Sequence, residues 1–141
     1  AVRLERQFAS ALRIARWLTT RDEVQRVLHP ALETDPGHAI WKRDLHGSGS
    51  VFSIVLRDVG WAAARAFTDR LKLFRIGASW GGIHSLVSVY ESAPERSYPG
   101  PDAKAPIVRL SVGLEHPDDL IADLERGLIA TRKIGKPTRR K

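Results

Sequence analysis

Residues 106–114 read PIVRLSVGL. Strand alternation puts Val108, Leu110, Val112 and Leu114 on one face of this run and Ile107, Arg109, Ser111 and Gly113 on the other. One face is core-like, and the other is small and polar with a guanidinium at its middle. A strand with one apolar face needs a covering layer, so the run predicts a sheet with helices packed on one side. Arg109 has two readings. Burying an unpaired charge is costly, so it could face an anionic partner, and its planar fork of donors suits a carboxylate or phosphate. It could equally be a surface arginine on a half-exposed sheet face.

Working outward, Pro117 stands at a helix start with Asp118 and Asp119 in the first turn, and Leu120, Ile121, Leu124 and Leu128 form its buried face. Asp123 has its simplest explanation in the same helix N-terminus. Upstream, VFSIVLRD at 51–58 is apolar on both faces and predicts a strand inside the sheet. Asp58 is placed to cap a helix over 60–72, where Ala63, Phe67 and Leu71 share one face. Residues 2–18 predict an amphipathic helix through Leu4, Phe8, Leu12, Ala15 and Leu18. Val24–Leu28 and Leu73–Ile76 are short strand candidates. Residues 38–43 suit one helical turn, and IHSLVSVY at 83–90 a further apolar stretch. Residues 91–105, ESAPERSYPGPDAKA, read as a loop. The expected class is α+β (α/β layered), with a mainly antiparallel sheet and helices on one face.

The chain has 141 residues, 43% hydrophobic and 28% charged, which fits one globular domain. No apolar run approaches the ~20 residues of a membrane span. The absence of cysteine excludes a disulfide scaffold, a thiolate metal site and a cysteine nucleophile. There is no methionine either, and Ala1 already lies inside a helical pattern, so we expect a piece of a longer protein. The net charge of +7 is concentrated in TRKIGKPTRRK at 131–141, which carries six basic residues and no acid. Such a block reads as a mobile basic tail, although it could meet an anionic surface through counterion release. The body between is near neutral, which argues against a nucleic-acid-binding domain.

Ser79-Trp80-Gly81-Gly82 is a second candidate for chemistry. Its glycines let the backbone turn tightly, and the turn could offer N–H groups and a hydroxyl to an anion. Alternatively it is only a glycine turn with Trp80 packed as core. Trp17 and Trp41 read as packing residues. The five histidines have no metal-ligand spacing, no serine sits in a nucleophile elbow, and GSGS at 47–50 leads into a strand where a phosphate loop would open a helix. No metal site is expected.

The runs ALRIARWL at 11–18, VQRVLHP at 24–30, HAIWKRD, GSGSVFSIVL, FRIGASWGGIHSL and VRLSVGLEHPDDLIADLERGL together resemble the C-terminal domain of the Cys/Met-metabolism enzymes that depend on pyridoxal phosphate. The pairing of SWGG with RLSVGLE looks most like the cystathionine β-lyase branch, and the resemblance spans about residues 4–130. It implies the small C-terminal domain of a fold-type I enzyme. Residues 1–18 would be a linker helix from a missing N-terminal large domain, 19–130 the small domain and 131–141 the basic flexible tail.

The resemblance also implies roles. Arg109 falls on the strand arginine that binds the substrate α-carboxylate, Ser79 on the serine that helps there, and Trp80 on a pocket-lining tryptophan. The parent would be a cytoplasmic homotetramer in methionine biosynthesis. It would cleave L-cystathionine to homocysteine, pyruvate and ammonia with pyridoxal phosphate as cofactor. The six lysines, Lys42, Lys72, Lys104, Lys133, Lys136 and Lys141, lie in no Schiff-base motif. The covalent step needs that lysine, so the fragment should hold no cofactor or catalytic residue and be inactive alone. A cystathionine γ-synthase or γ-lyase type, or a stand-alone module that binds an amino acid without turnover, are the alternatives.

Overall fold

The computed structural model describes residues 2–91, 105–132 and 134. Four helices and five strands follow one another among these: α1 (Val2–Thr19), β1 (Val24–Leu28), α2 (His38–Asp44), β2 (Val51–Leu56), α3 (Trp61–Asp69), β3 (Arg75–Ile76), β4 (Leu86–Tyr90), β5 (Ile107–Ser111) and α4 (Pro117–Arg132). The strands form one sheet in the order β1-β2-β5-β4-β3. The β1–β2, β2–β5 and β5–β4 ladders are antiparallel, and only the short β3 runs parallel to its neighbour. The sheet is thus mainly antiparallel, as expected, and β2 lies inside it.

The register explains which face is core. Phe52 stands opposite Leu110, Ile54 opposite Val108, and Leu110 opposite Val87, and all of these are buried. Onto this face α1 brings Ala11, Ile14, Ala15 and Leu18, α3 brings Ala64 and Phe67, and α4 brings Leu120, Leu124 and Leu128. These stripes meet one continuous core, but in α1 the buried face is Ala11, Ile14, Ala15 and Leu18 and not the expected line of Leu4, Phe8 and Leu12: Leu4 is exposed and Leu12 only partly buried. Helix α1 belongs to that core along most of its length. Trp17 packs against the core edge with the Arg21 guanidinium over its ring, and Trp41 donates its indole N–H to the Gly47 carbonyl.

Three expectations are corrected. The second strand ends at Leu56, because Asp58 takes a left-handed φ of 48° and turns the chain. Asp58 does not cap α3: the cap residue is Gly60, with no side-chain cap bond, and the helix covers 61–69 where 60–72 was expected. Strand β5 ends at Ser111 where Leu114 was expected: Val112 N–H still donates to the Ser50 carbonyl at 3.0 Å, but Leu114 N–H bonds the Ile83 carbonyl of the 77–85 segment. The loop assigned to 91–105 lies almost entirely outside the described residues. The same holds for the tail apart from Thr131 and Arg132, which belong to α4, and Ile134.

Candidate functional site

Arg109 is the middle residue of β5, on the face turned away from the helices. Across the ladders it stands directly between Ser53 of β2 and Ser88 of β4. Its Nη2 donates to the Ala78 carbonyl and to the Ser88 hydroxyl, the latter at 3.3 Å. Its Cζ lies 5.7 Å from the centroid of the Trp80 ring, within cation–π range. Among the described residues no carboxylate pairs with Arg109, and the partners that hold it there are the Ala78 carbonyl and the Ser88 hydroxyl. Its Nε and Nη1 groups meet no acceptor there either, leaving donors available for a ligand.

The turn facing this guanidinium spans residues 77–85 and joins the parallel strands β3 and β4. Such a short parallel connection works because β3 has only two residues, with Arg75 N–H donating to the Ser85 carbonyl and Gly77 N–H to that of Val87. Gly81 takes φ 74°, the left-handed region that glycine enters at no steric cost. The turn's carbonyls are held from several directions. Ser88 Oγ donates to Gly77 at 2.6 Å, Arg109 to Ala78, Gln7 Nε2 to Gly82 at 2.7 Å, and Leu114 N–H to Ile83 at 2.8 Å. Ser79, Trp80 and Gly81 are exposed, and their N–H groups have no partner among the described residues. Trp80 is 65% exposed, so the reading of it as core is set aside.

The structure thus brings Trp80 onto Arg109, and places Ser79 directly after the carbonyl that Arg109 holds. Several supporting residues were missed from sequence. Glu115 accepts both the N–H and the hydroxyl of Ser85 at 2.8 Å, and Ser85 Oγ in turn accepts the Gly113 N–H at 2.9 Å. A Cβ at Gly113 would stand 2.4 Å from the Ile83 carbonyl oxygen, so the backbones approach here as only glycine allows. Gln7, nearly fully buried on α1, reaches the turn from 75 residues away in sequence.

Asp123 needs a correction. It does not serve the α4 N-terminus. Its fully buried carboxylate accepts the N–H groups of Lys72, Leu73 and Phe74 at 2.8, 2.8 and 3.0 Å and pairs with Arg126 at 2.6 Å. That fixes the chain entering β3 and the turn. The only sequence signal was an i,i+3 pair of opposite charge.

The described residues do not assemble a site that fits pyridoxal phosphate. Lys42 and Lys72 are exposed, on α2 and beside the Asp123 clamp, and neither contacts Arg109. No group of three potential metal ligands occurs among the described residues, and no described helix is long and apolar enough to cross a membrane.

Comparison with known proteins agrees with this architecture. Over 130 residues the chain is 44% identical to the cystathionine beta-lyase of Salmonella typhimurium, covering 89% of this chain and 33% of that protein. It is 35% identical over 134 residues to the cystathionine gamma-lyase of Mus musculus, covering 92% and 33%. A crystal structure of cystathionine gamma synthase from Xanthomonas oryzae superposes with a TM-score of 0.80 at 34% identity, covering 94% of this chain and 35% of that one. The chain spans about a third of the length of these relatives. The family described as Cys/Met metabolism PLP-dependent enzyme matches residues 1–129, and the chain belongs to that family.

Proposed function

We propose that the complete protein is a pyridoxal-phosphate-dependent carbon–sulfur lyase of cystathionine β-lyase type, which converts L-cystathionine to homocysteine, pyruvate and ammonia. This chain is its small C-terminal domain. Its share is binding and orientation, and the cofactor is held by residues outside this chain. Arg109 receives the substrate α-carboxylate on its free N–H groups. Ser79 and the turn's backbone donors add to the same anion, and the Trp80 ring walls the pocket beside the guanidinium. Holding the carboxylate at fixed points orients the rest of the substrate for bond cleavage.

One observation supports this most: the guanidinium and the 77–82 turn are locked to each other through Ala78 and Trp80, with unused donors on both. The reading carries with it a cytoplasmic homotetramer acting in methionine biosynthesis. On this reading the chain alone turns nothing over, because the covalent step needs a lysine that none of its own sequence motifs supplies.

The test is product analysis of the complete enzyme on L-cystathionine. Pyruvate with homocysteine is the expected pair. Cysteine with a four-carbon oxo acid would instead establish a γ-lyase, the second reading and the activity named for the mouse relative. Absence of turnover on any thioether amino acid would overturn both. Pyruvate formed by the 141-residue chain alone would contradict its purely binding role.

A further inference from the structure

We propose that Ser88 is the positioning residue for Arg109, setting where the guanidinium stands relative to the 77–82 turn. The two residues are directly paired across the β4–β5 ladder, on the face away from the helices. A serine hydroxyl has one proton to donate. Here that proton is committed to the Gly77 carbonyl at 2.6 Å, which leaves the oxygen's lone pairs for the Arg109 Nη2 at 3.3 Å. One side chain therefore ties the first carbonyl of the turn to the cation that grips the second, that of Ala78.

The tie is one-sided. Ser53 flanks Arg109 on the opposite strand, yet among the described residues its hydroxyl makes no hydrogen bond to Arg109. Without Ser88, the long arginine side chain would keep only the Ala78 carbonyl and the face of an exposed tryptophan. Both of those sit on the turn that Ser88 itself anchors. Ser88 thus holds Nη2 inward, which turns the other N–H groups outward.

The catalytic consequence rests on the reading of Arg109 as the carboxylate residue, so the test is arranged to separate the two. In the complete enzyme with L-cystathionine as probe, Ser88→Ala should lower kcat/KM about tenfold, the loss expected for one charge-assisted hydrogen bond, mostly through KM. Ser88→Thr, which keeps the hydroxyl, should stay within about twofold of the parent. Because Ser88 is half-buried and outside the core cluster, the Ala variant should melt close to the parent. In an Arg109→Lys background the Ser88→Ala effect should largely vanish, since coupled residues are non-additive. A tenfold loss that persists in that background, or failure of Thr to restore activity, overturns the proposal. If Arg109 variants leave kcat/KM unchanged, the carboxylate reading fails on its own. Crystal structures then decide the positioning role: an Arg109 guanidinium in its original place in Ser88→Ala overturns it, and a displaced one with recovery in Ser88→Thr upholds it.

Discussion

Glu115 holds Ser85 twice, accepting both its backbone N–H and its hydroxyl at 2.8 Å. This pair fastens the end of the 77–85 turn to the segment that leaves the Arg109 strand. Ser85 is fully buried, so its groups have no water to fall back on. Glu115→Ala should therefore destabilise the protein by about 1–3 kcal/mol, the cost of leaving buried donors unmet. Thermal melts check this, and a change below about half a kcal/mol would show that the contact contributes little.

Asp123→Asn keeps the shape of the side chain but replaces an oxygen acceptor with a donor, facing backbone N–H groups. The three bonds to Lys72, Leu73 and Phe74 cannot all survive. A loss of roughly 3 kcal/mol in denaturant unfolding is expected, since the carboxylate is fully buried and its hydrogen bonds are charge-assisted. Asp119→Asn, on the exposed first turn of α4, should cost only a few tenths of a kcal/mol.

His29 gives the fold a pH dependence. It is fully buried between Phe8 and Phe52, its Nδ1 accepts the Ala31 N–H at 3.2 Å, and its Nε2 has no partner among the described residues. Desolvation by burial holds its pKa below the usual histidine value, against a smaller opposing pull from Asp35. The unfolded chain then takes up the proton first. This contribution is constant above about pH 6.5 and falls as the pH drops from there toward the folded-state value, by at most about 1.4 kcal/mol per pH unit. Melts of the parent and His29→Gln between pH 8 and 5 should show a shallower acid decline in the variant. Parallel curves would remove His29 from the explanation.

Much of the fold was legible because burial imposes periods on sequence. Leu120, Leu124 and Leu128 mark α4, and the alternation around Arg109 marks β5 and its core face. Arg109 itself stood out because a charge inside an apolar strand needs a reason. Its surroundings did not. Ser88, Ala78 and Gln7 come to the site from separate elements, and a lone serine or glutamine carries no periodic signature. Asp123 looked like a helix-start residue because its backbone partners lie 49 to 51 residues away. Asp58 looked like a cap because composition does not reveal a left-handed backbone.

The carboxylate role of Arg109 is tested most directly by kcat/KM of Arg109→Leu in the complete enzyme, measured on L-cystathionine beside Arg109→Lys and Leu110→Ala. Leu110 is fully buried on the opposite face, so Leu110→Ala should cost about 2–5 kcal/mol of stability with little selective effect on substrate binding. Arg109 lies outside the core cluster, so its variants should melt near the parent. Losing a charge-assisted partner in a desolvated site costs ~2–5 kcal/mol, so Arg109→Leu should lower kcat/KM by roughly two to four decades. Lysine restores the charge without the fork and should recover only part of that. Near-parental kcat/KM in Arg109→Leu would contradict the carboxylate role and return Arg109 to a structural arginine on an exposed sheet face.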